Sequence, residues 1–205
     1  MKLLRVGPPG RERPAILDAQ GGYRDLSAHV PDIDGDALLP AELARIGAVN
    51  IEALPLLDAT ERIGACVSRI GKLVCIGLNY ADHARESNMP IPDEPVVFNK
   101  WTSAVCGPND DVIQPRGSTK MDWEIELGIV IGTPALYIDE AAAPDHIAGY
   151  CIVNDVSERN FQLERGGQWD KGKGCDTFGP IGPYLVTPDE IADVLDLDMR
   201  LEVNG

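Results

Sequence analysis

Hydrophobic and polar positions follow two different patterns along the chain. From residue 2 to about 71, short alternating runs (LLRVG, PAILD, YRDLS) are divided by Gly and Pro, which predicts a small sheet. Residues 36–48, DALLPAELARIGA, have a helical pattern that admits Pro40 in the first turn. A second short helix is expected over 58–68. From Lys72 onward strands dominate: LVCIGL, PVVFN, DVIQ, WEIELGIVIG, GYCIVND, PYLVT and DMRLEV. Only short helices intervene, near 82–88, 139–145 and 188–194. Strands greatly outnumber helices long enough for βαβ crossovers, which argues against Rossmann and TIM architectures. The pattern predicts a strand-dominated α+β protein with a small N-terminal domain, 1–71, and a larger domain, 72–205. Residues 199–205, MRLEVNG, read as a strand entering an Asn-Gly turn with no returning strand after it.

Composition narrows the setting. With 205 residues and 44% hydrophobic content, the chain can bury a sizeable core. Its five cysteines (66, 75, 106, 151, 175) form no CxxC pair, which fits a reducing compartment. The opening MKLLRVGPPG breaks at Arg5 and the Gly-Pro pair before a signal-peptide core forms, and no apolar run reaches membrane-spanning length. A cytoplasmic protein is expected. A net charge of −15 repels phosphate backbones and anionic lipid, so neither nucleic acid nor membrane is expected as a partner.

The chemistry begins at DWEIELGIVIG, residues 122–132. LGIVIG looks like a strand buried on both faces, yet Asp122, Glu124 and Glu126 are spaced to share one face. Trp123, Ile125 and Leu127 would then pack behind them. A solvated strand face is one reading of the acids. The other adds Asp155, which ends the apolar run GYCIVND: three carboxylates from two strand regions make a hard oxygen cage for Mg²⁺ or Mn²⁺. Asp155 also suits a helix N-cap ahead of Val-Ser-Glu-Arg.

In IGLNYADHARESN, residues 76–88, His83 and Glu86 lie three apart, on one helical face. A carboxylate there can orient an imidazole that activates water, or the two form a surface pair without a task. His29 and His146 have no evident partner and read as structural. The stretch 164–183, ERGGQWDKGKGCDTFGPIGP, is too glycine-rich for regular structure and predicts a mobile loop. Gly167 to Lys173 nearly spell a phosphate-binding loop, but Gly174 replaces the Ser or Thr that magnesium needs. Lys173 therefore reads as a cation delivered into a site, and Lys171 as solvated.

Together, HARE after GLNY, DWEIELGIVIG, GYCIVNDVSERNFQ and WDKGKGCDTFGPIGP resemble, in order, the signature blocks of the fumarylacetoacetate hydrolase family over about Lys72 to Thr187. With FNKWTSAVCGPNDDVIQP, the chain is most similar to bacterial members acting on 2,4-diketo-3-deoxy sugar acids, relatives often labelled ureidoglycolate lyase. The resemblance implies a mixed β-roll, a homodimer, and Mg²⁺ or Mn²⁺ held by Glu124, Glu126 and Asp155. It puts the catalytic dyad on His83 and Glu86, the active-site lysine on Lys173, and substrate contacts on Tyr80, Arg159 and Gln162. The implied activity is hydrolytic C–C cleavage of an acylpyruvate-type 2,4-dioxo acid, a diketo-deoxy sugar acid, with release of pyruvate. Lyase, isomerase, hydratase or decarboxylase chemistry, or metal binding without catalysis, are the alternatives. The family's later Thr-Gly-Thr block has no counterpart before Gly205.

Overall fold

A computed structural model describes residues 1–86 and 88–205. Strands β1 (Lys2–Val6), β2 (Arg13–Leu17) and β3 (Tyr23–Asp25) form antiparallel pairs, as the alternating runs predict. Helix α1 spans Pro40–Gly47 and starts on the proline, whose missing N–H costs nothing there. Strands β4 (Leu73–Gly77) and β5 (Val96–Lys100) form a separate antiparallel pair, with helix α2 (Ala81–Glu86) between them. The expected helix over 82–88 runs into Ser87, which lies outside the described residues. Then follow β6 (Val105–Cys106), β7 (Met121–Asp122), β8 (Ile125–Ile131), β9 (Ile147–Asn154), β10 (Ser157–Glu158), helix α3 (Asp170–Lys173) and β11 (Gly179–Val186).

The principal sheet runs β3-β2-β1-β11-β9-β8, with β6 added in parallel to β11, and β7 pairs with β10. The boundary near residue 71 is therefore not a break in the sheet, because β1 pairs with β11. One buried core continues across it, from Leu3, Ile16 and Leu38 to Cys151, Val153 and Ile181.

Several expectations give way to packing. The 58–68 segment is not a helix. Its backbone lies along β1 instead, with Gly64 N–H donating to Arg5 O at 2.8 Å and Gly7 N–H to Arg62 O at 2.8 Å. Residues 111–114 form no strand, and Ile113 N–H is taken by Thr177 Oγ1 at 2.8 Å. Residues 198–203 also form no strand and are exposed, and only Pro188–Glu190 turns helically, as a 3₁₀ turn, in the expected 188–194 helix. Near 139–145 the helix is likewise of 3₁₀ type, over Glu140–His146. LGIVIG is not buried on both faces: Ile129 and Ile131 are exposed, while Val130 packs on the core. Among the described residues no helix is long and apolar enough to cross a membrane.

Candidate active site

The acid-rich strand is broken. Its β8 half pairs with β9 from Ile131 down to Ile125 opposite Asn154, and its β7 half pairs with β10, Asp122 opposite Ser157. Between them Glu124 stays registered to Asp155, whose N–H donates to Glu124 O at 2.9 Å, and Glu124 N–H reaches Asn154 Oδ1 at 3.2 Å. Two residues far apart in sequence are thus fixed side by side by backbone ladders on either flank. Asp155 caps no helix; two residues later the chain enters β10. Trp123, at the break, does not pack behind the acids but is exposed.

Three cationic side chains converge on these acids. Lys173 Nζ donates to Glu124 Oε2 at 2.5 Å and to Asp155 Oδ2 at 2.8 Å. Lys100 Nζ donates to the other Asp155 oxygen, Oδ1, at 2.5 Å and to Val156 O at 3.0 Å. Arg159 donates to Asp122 Oδ2 through Nε (2.9 Å) and Nη2 (2.7 Å), to Glu124 Oε1, and through Nη1 to Gln162 Oε1 at 2.9 Å. Asp155, Lys173, Lys100 and Gln162 are all buried. Burial works against the Asp155 carboxylate, but the charges of Lys100 and Lys173 outweigh it and hold the acid below its ordinary range. Burial pushes the Lys100 ammonium down against the pull of Asp155.

Glu126 is the odd member. Burial, then the negative charges of Glu124 and Asp155, push its carboxyl up to about 7. Tyr80 lies beside it; its hydroxyl accepts Leu127 N–H at 3.3 Å, and burial raises the phenol.

The lysine arrives differently from the sequence expectation. Residues 166 and 167 are exposed glycines with positive φ, but Asp170–Lys173 is a packed helical turn. A Cβ on Gly172 would stand 2.4 Å from Glu158 O, so this glycine permits close packing rather than mobility. Trp169 lies against Gly77 and meets the Phe98 ring edge-on at 5.4 Å, fastening α3 to the β4–β5 pair. Lys171, by contrast, is exposed, as expected.

A cavity of about 1110 Å³ opens over this cluster, lined by Glu124, Glu126, Asp155, Arg159, Gln162, Lys173, Tyr80 and His83. Of the nine candidate residues only Glu86 is absent from its wall. His83 and Glu86 are both exposed on α2, and no ion pair or hydrogen bond joins them among the described residues. The structure therefore brings His83 to the cavity but does not form the dyad. Lys100 is the residue that sequence reasoning missed. Its signal was present: alternation along β5 places it on the inward face with Phe98.

Among the described residues, no three His, Cys, Asp or Glu side chains stand together at metal-binding distance. In chemistry the donors still fit Mg²⁺ or Mn²⁺: the carboxylates of Glu124, Glu126 and Asp155 line one cavity, and burial, then the charges of Glu124 and Asp155, push Glu126 up to about 7. The Lys173 ammonium occupies the space between two of them.

Residues 72–205 match the family described as fumarylacetoacetate (FAA) hydrolase C-terminal. A Burkholderia multivorans protein named "Putative hydrolase" is 65% identical over 205 residues, covering 100% of this chain and 73% of its own length. Among solved structures, fumarylacetoacetate hydrolase from Exiguobacterium antarcticum is 33% identical with a TM-score of 0.76, covering 93% of this chain and 68% of that one. The 2-hydroxyhepta-2,4-diene-1,7-dioate isomerase from Mycobacterium marinum is also 33% identical, with a TM-score of 0.67 and coverage of 92% and 66%. The chain belongs to the fumarylacetoacetate hydrolase family. Its strand-dominated α+β fold is that family's fold.

Proposed function

We propose that the protein hydrolyses a C–C bond in an acylpyruvate-type 2,4-dioxo acid, releasing pyruvate and the acid of the distal acyl group. A diketo-deoxy sugar acid is the favoured substrate. The observation that carries this reading is a cavity large enough for a small acid, lined by Glu124, Glu126 and Asp155, in which Lys173 bonds Glu124 and Asp155. Glu124, Glu126 and Asp155 would hold Mg²⁺ or Mn²⁺, which supplies Lewis-acid activation and a template for the 2-oxo acid.

The chain's own residues divide the remaining work. Arg159, on the cavity wall, attracts the substrate carboxylate. His83 removes a proton from the water that attacks the distal carbonyl, a role worth about 10²- to 10⁴-fold. Lys173 and Gln162, buried beside each other's elements, supply N–H donors where negative charge develops on that carbonyl oxygen. The broken C–C bond leaves its electron pair on C3 of the pyruvate enolate, which takes up a proton as pyruvate is released.

A second reading, isomerisation or decarboxylation of a related 2-oxo acid, is favoured by one observation: Glu86 does not brace His83. Several solved relatives of similar identity are named isomerases. The test is pyruvate release by the full chain from a short acylpyruvate, with Mg²⁺ or Mn²⁺ and after chelation. Metal-dependent release supports hydrolysis; conversion of substrate without pyruvate would move the assignment to the second reading.

A further inference from the structure

The geometry points to Lys173 as an exchangeable counter-ion, whose ammonium holds the place between Glu124 and Asp155 until a divalent cation enters and turns it towards substrate. This inference rests on the metal reading above. Two contacts define the place: Nζ lies 2.5 Å from Glu124 Oε2 and 2.8 Å from Asp155 Oδ2. An ammonium is a hydrogen-bond donor that keeps oxygens at such distances, whereas Mg²⁺ draws them to about 2.0–2.1 Å. Lys173 gathers two carboxylates and leaves Glu126 without a cationic partner, because no ion pair to Glu126 is formed among the described residues. A small divalent ion can draw in the third.

The two lysines on Asp155 are not equivalent. Lys100 reaches Oδ1, has a fully buried side chain and also donates to the Val156 carbonyl. It has nowhere to go. Lys173 reaches Oδ2 from the cavity wall, where its Nζ also lies over the Phe98 ring, 5.2 Å from the ring centroid, so the aromatic face supports its charge beside the open cavity. Its backbone is pinned by Gly172 against Glu158 and Gln162, so the exchange needs only side-chain rotation.

Charge balance gives the exchange a direction. Asp122, Glu124 and Asp155 pair with Arg159, Lys100 and Lys173, and Glu126 stands near them with no ion pair of its own among the described residues. With all ionised, the group lacks one positive charge. A divalent cation turns that deficit into an excess of one, which a monoanionic 2-oxo acid cancels. Cation binding should therefore precede and promote anion binding, with the released Lys173 meeting the anion.

Two measurements on the metal-stripped full chain test this. Mn²⁺ titrations followed by electron paramagnetic resonance should show Lys173→Met binding the ion about tenfold more tightly than wild type, with Lys173→Gln in the same direction. Independently, Mn²⁺ should raise acetylation of Lys173 by a small acylating reagent in the wild type, read by mass spectrometry, and leave Lys100 unreactive. Equal or weaker Mn²⁺ affinity in both variants overturns the exchange, as does acetylation of Lys173 that Mn²⁺ leaves unchanged or reduces. If wild type binds Mn²⁺ and the variants gain nothing, only the exchange fails. If neither wild type nor variants bind it, the metal reading fails as well.

Discussion

The N-terminal region and the acid cluster both bury charge, but they arrange it in opposite ways. In the first, unlike charges alternate. Arg5 forks onto Asp32 at 2.6 and 3.0 Å, and Arg62 grips Asp110 through two bonds of 2.6 Å while also donating to Glu12 and to Gly7 O. Each such acid has an arginine to itself or shares one, and the Arg62 fork holds Asp110 below its ordinary range. In the second, Glu124 and Asp155 stand near Glu126, and burial, then their negative charges, push Glu126 up to about 7. A network selected only for stability separates like charges. Under the proposed function, keeping them together leaves a place for a divalent cation that is not part of the chain.

The largest test acts on that crowding. Glu126→Ala should remove Mn²⁺ binding and turnover together. Glu126→Gln should also lose them, yet raise the thermal midpoint of the metal-free protein at pH 8, because it removes a carboxylate that the site repels. Calorimetry with and without Mn²⁺ checks both. A Glu126→Gln protein less stable than wild type without metal would mean that the cluster is not strained by like charge.

The next effect compares two buried cations. Lys100→Met leaves Asp155 with Lys173 alone in a buried setting, and should cost about 3 kcal/mol of stability. Arg62→Met, in the alternating network and partly exposed, should cost about 1–2 kcal/mol. Urea denaturation midpoints give both values. Equal losses would remove the distinction between the regions.

His83→Ala should lower turnover by about 10²-fold and leave Mn²⁺ affinity nearly unchanged, since His83 lines the cavity but lies outside the acid cluster. Glu86→Gln should do far less, as Glu86 is exposed and off the wall. Wild-type turnover in the His83 variant would favour the isomerase-type reading.

What could be read from the sequence follows the range of the forces involved. Strands β1, β4, β5, β8 and β9 are legible because alternation is local, and the acids of 124, 126 and 155 because carboxylates in apolar runs stand out. The helix over 58–68 fails because its backbone donors go to β1, a partner some 55 residues away that no local pattern reveals. Lys173 is legible as a cation entering the site, but its route is not: Gly172 and Gly174, on either side of it, are close-packing positions set by Glu158 and Trp101, while only Gly166 and Gly167 are open. Lys100 is legible only if the alternation of β5 is followed to its last residue.

The smallest effect concerns Glu158, which holds the scaffold beneath the cluster. Its Oε1 accepts Thr119 N–H at 2.9 Å, Lys120 N–H at 2.7 Å and the Ser118 hydroxyl at 3.3 Å, and Oε2 accepts Phe161 N–H at 2.6 Å. Burial raises this acid, but the backbone donors of Phe161, Thr119 and Lys120 outweigh it and hold it below the ordinary glutamate range. A depressed acid stabilises the fold fully above its unfolded value of 4.5, and that stability is lost as pH falls through the folded value. Glu158→Gln cannot accept at both ends, because its amide nitrogen must face either Phe161 N–H or the 119–120 pair. It should cost about 1–2 kcal/mol at pH 7, with the gap to wild type closing below the folded value. Asp18 supplies the comparison in the N-terminal region, accepting Gln20 N–H, Gly22 N–H and Arg24 Nε. Asp18→Asn should show the same acid-side behaviour but unchanged turnover. Glu158→Gln should also slow turnover severalfold, because its amide oxygen keeps more bonds on the 118–120 side, which turns the nitrogen to Phe161 N–H and opens the helical turn that carries Gln162. Urea midpoints at pH 3 to 7, with rates at pH 7, separate the two. Equal turnover in both variants would mean that the scaffold tolerates the loss without moving Gln162.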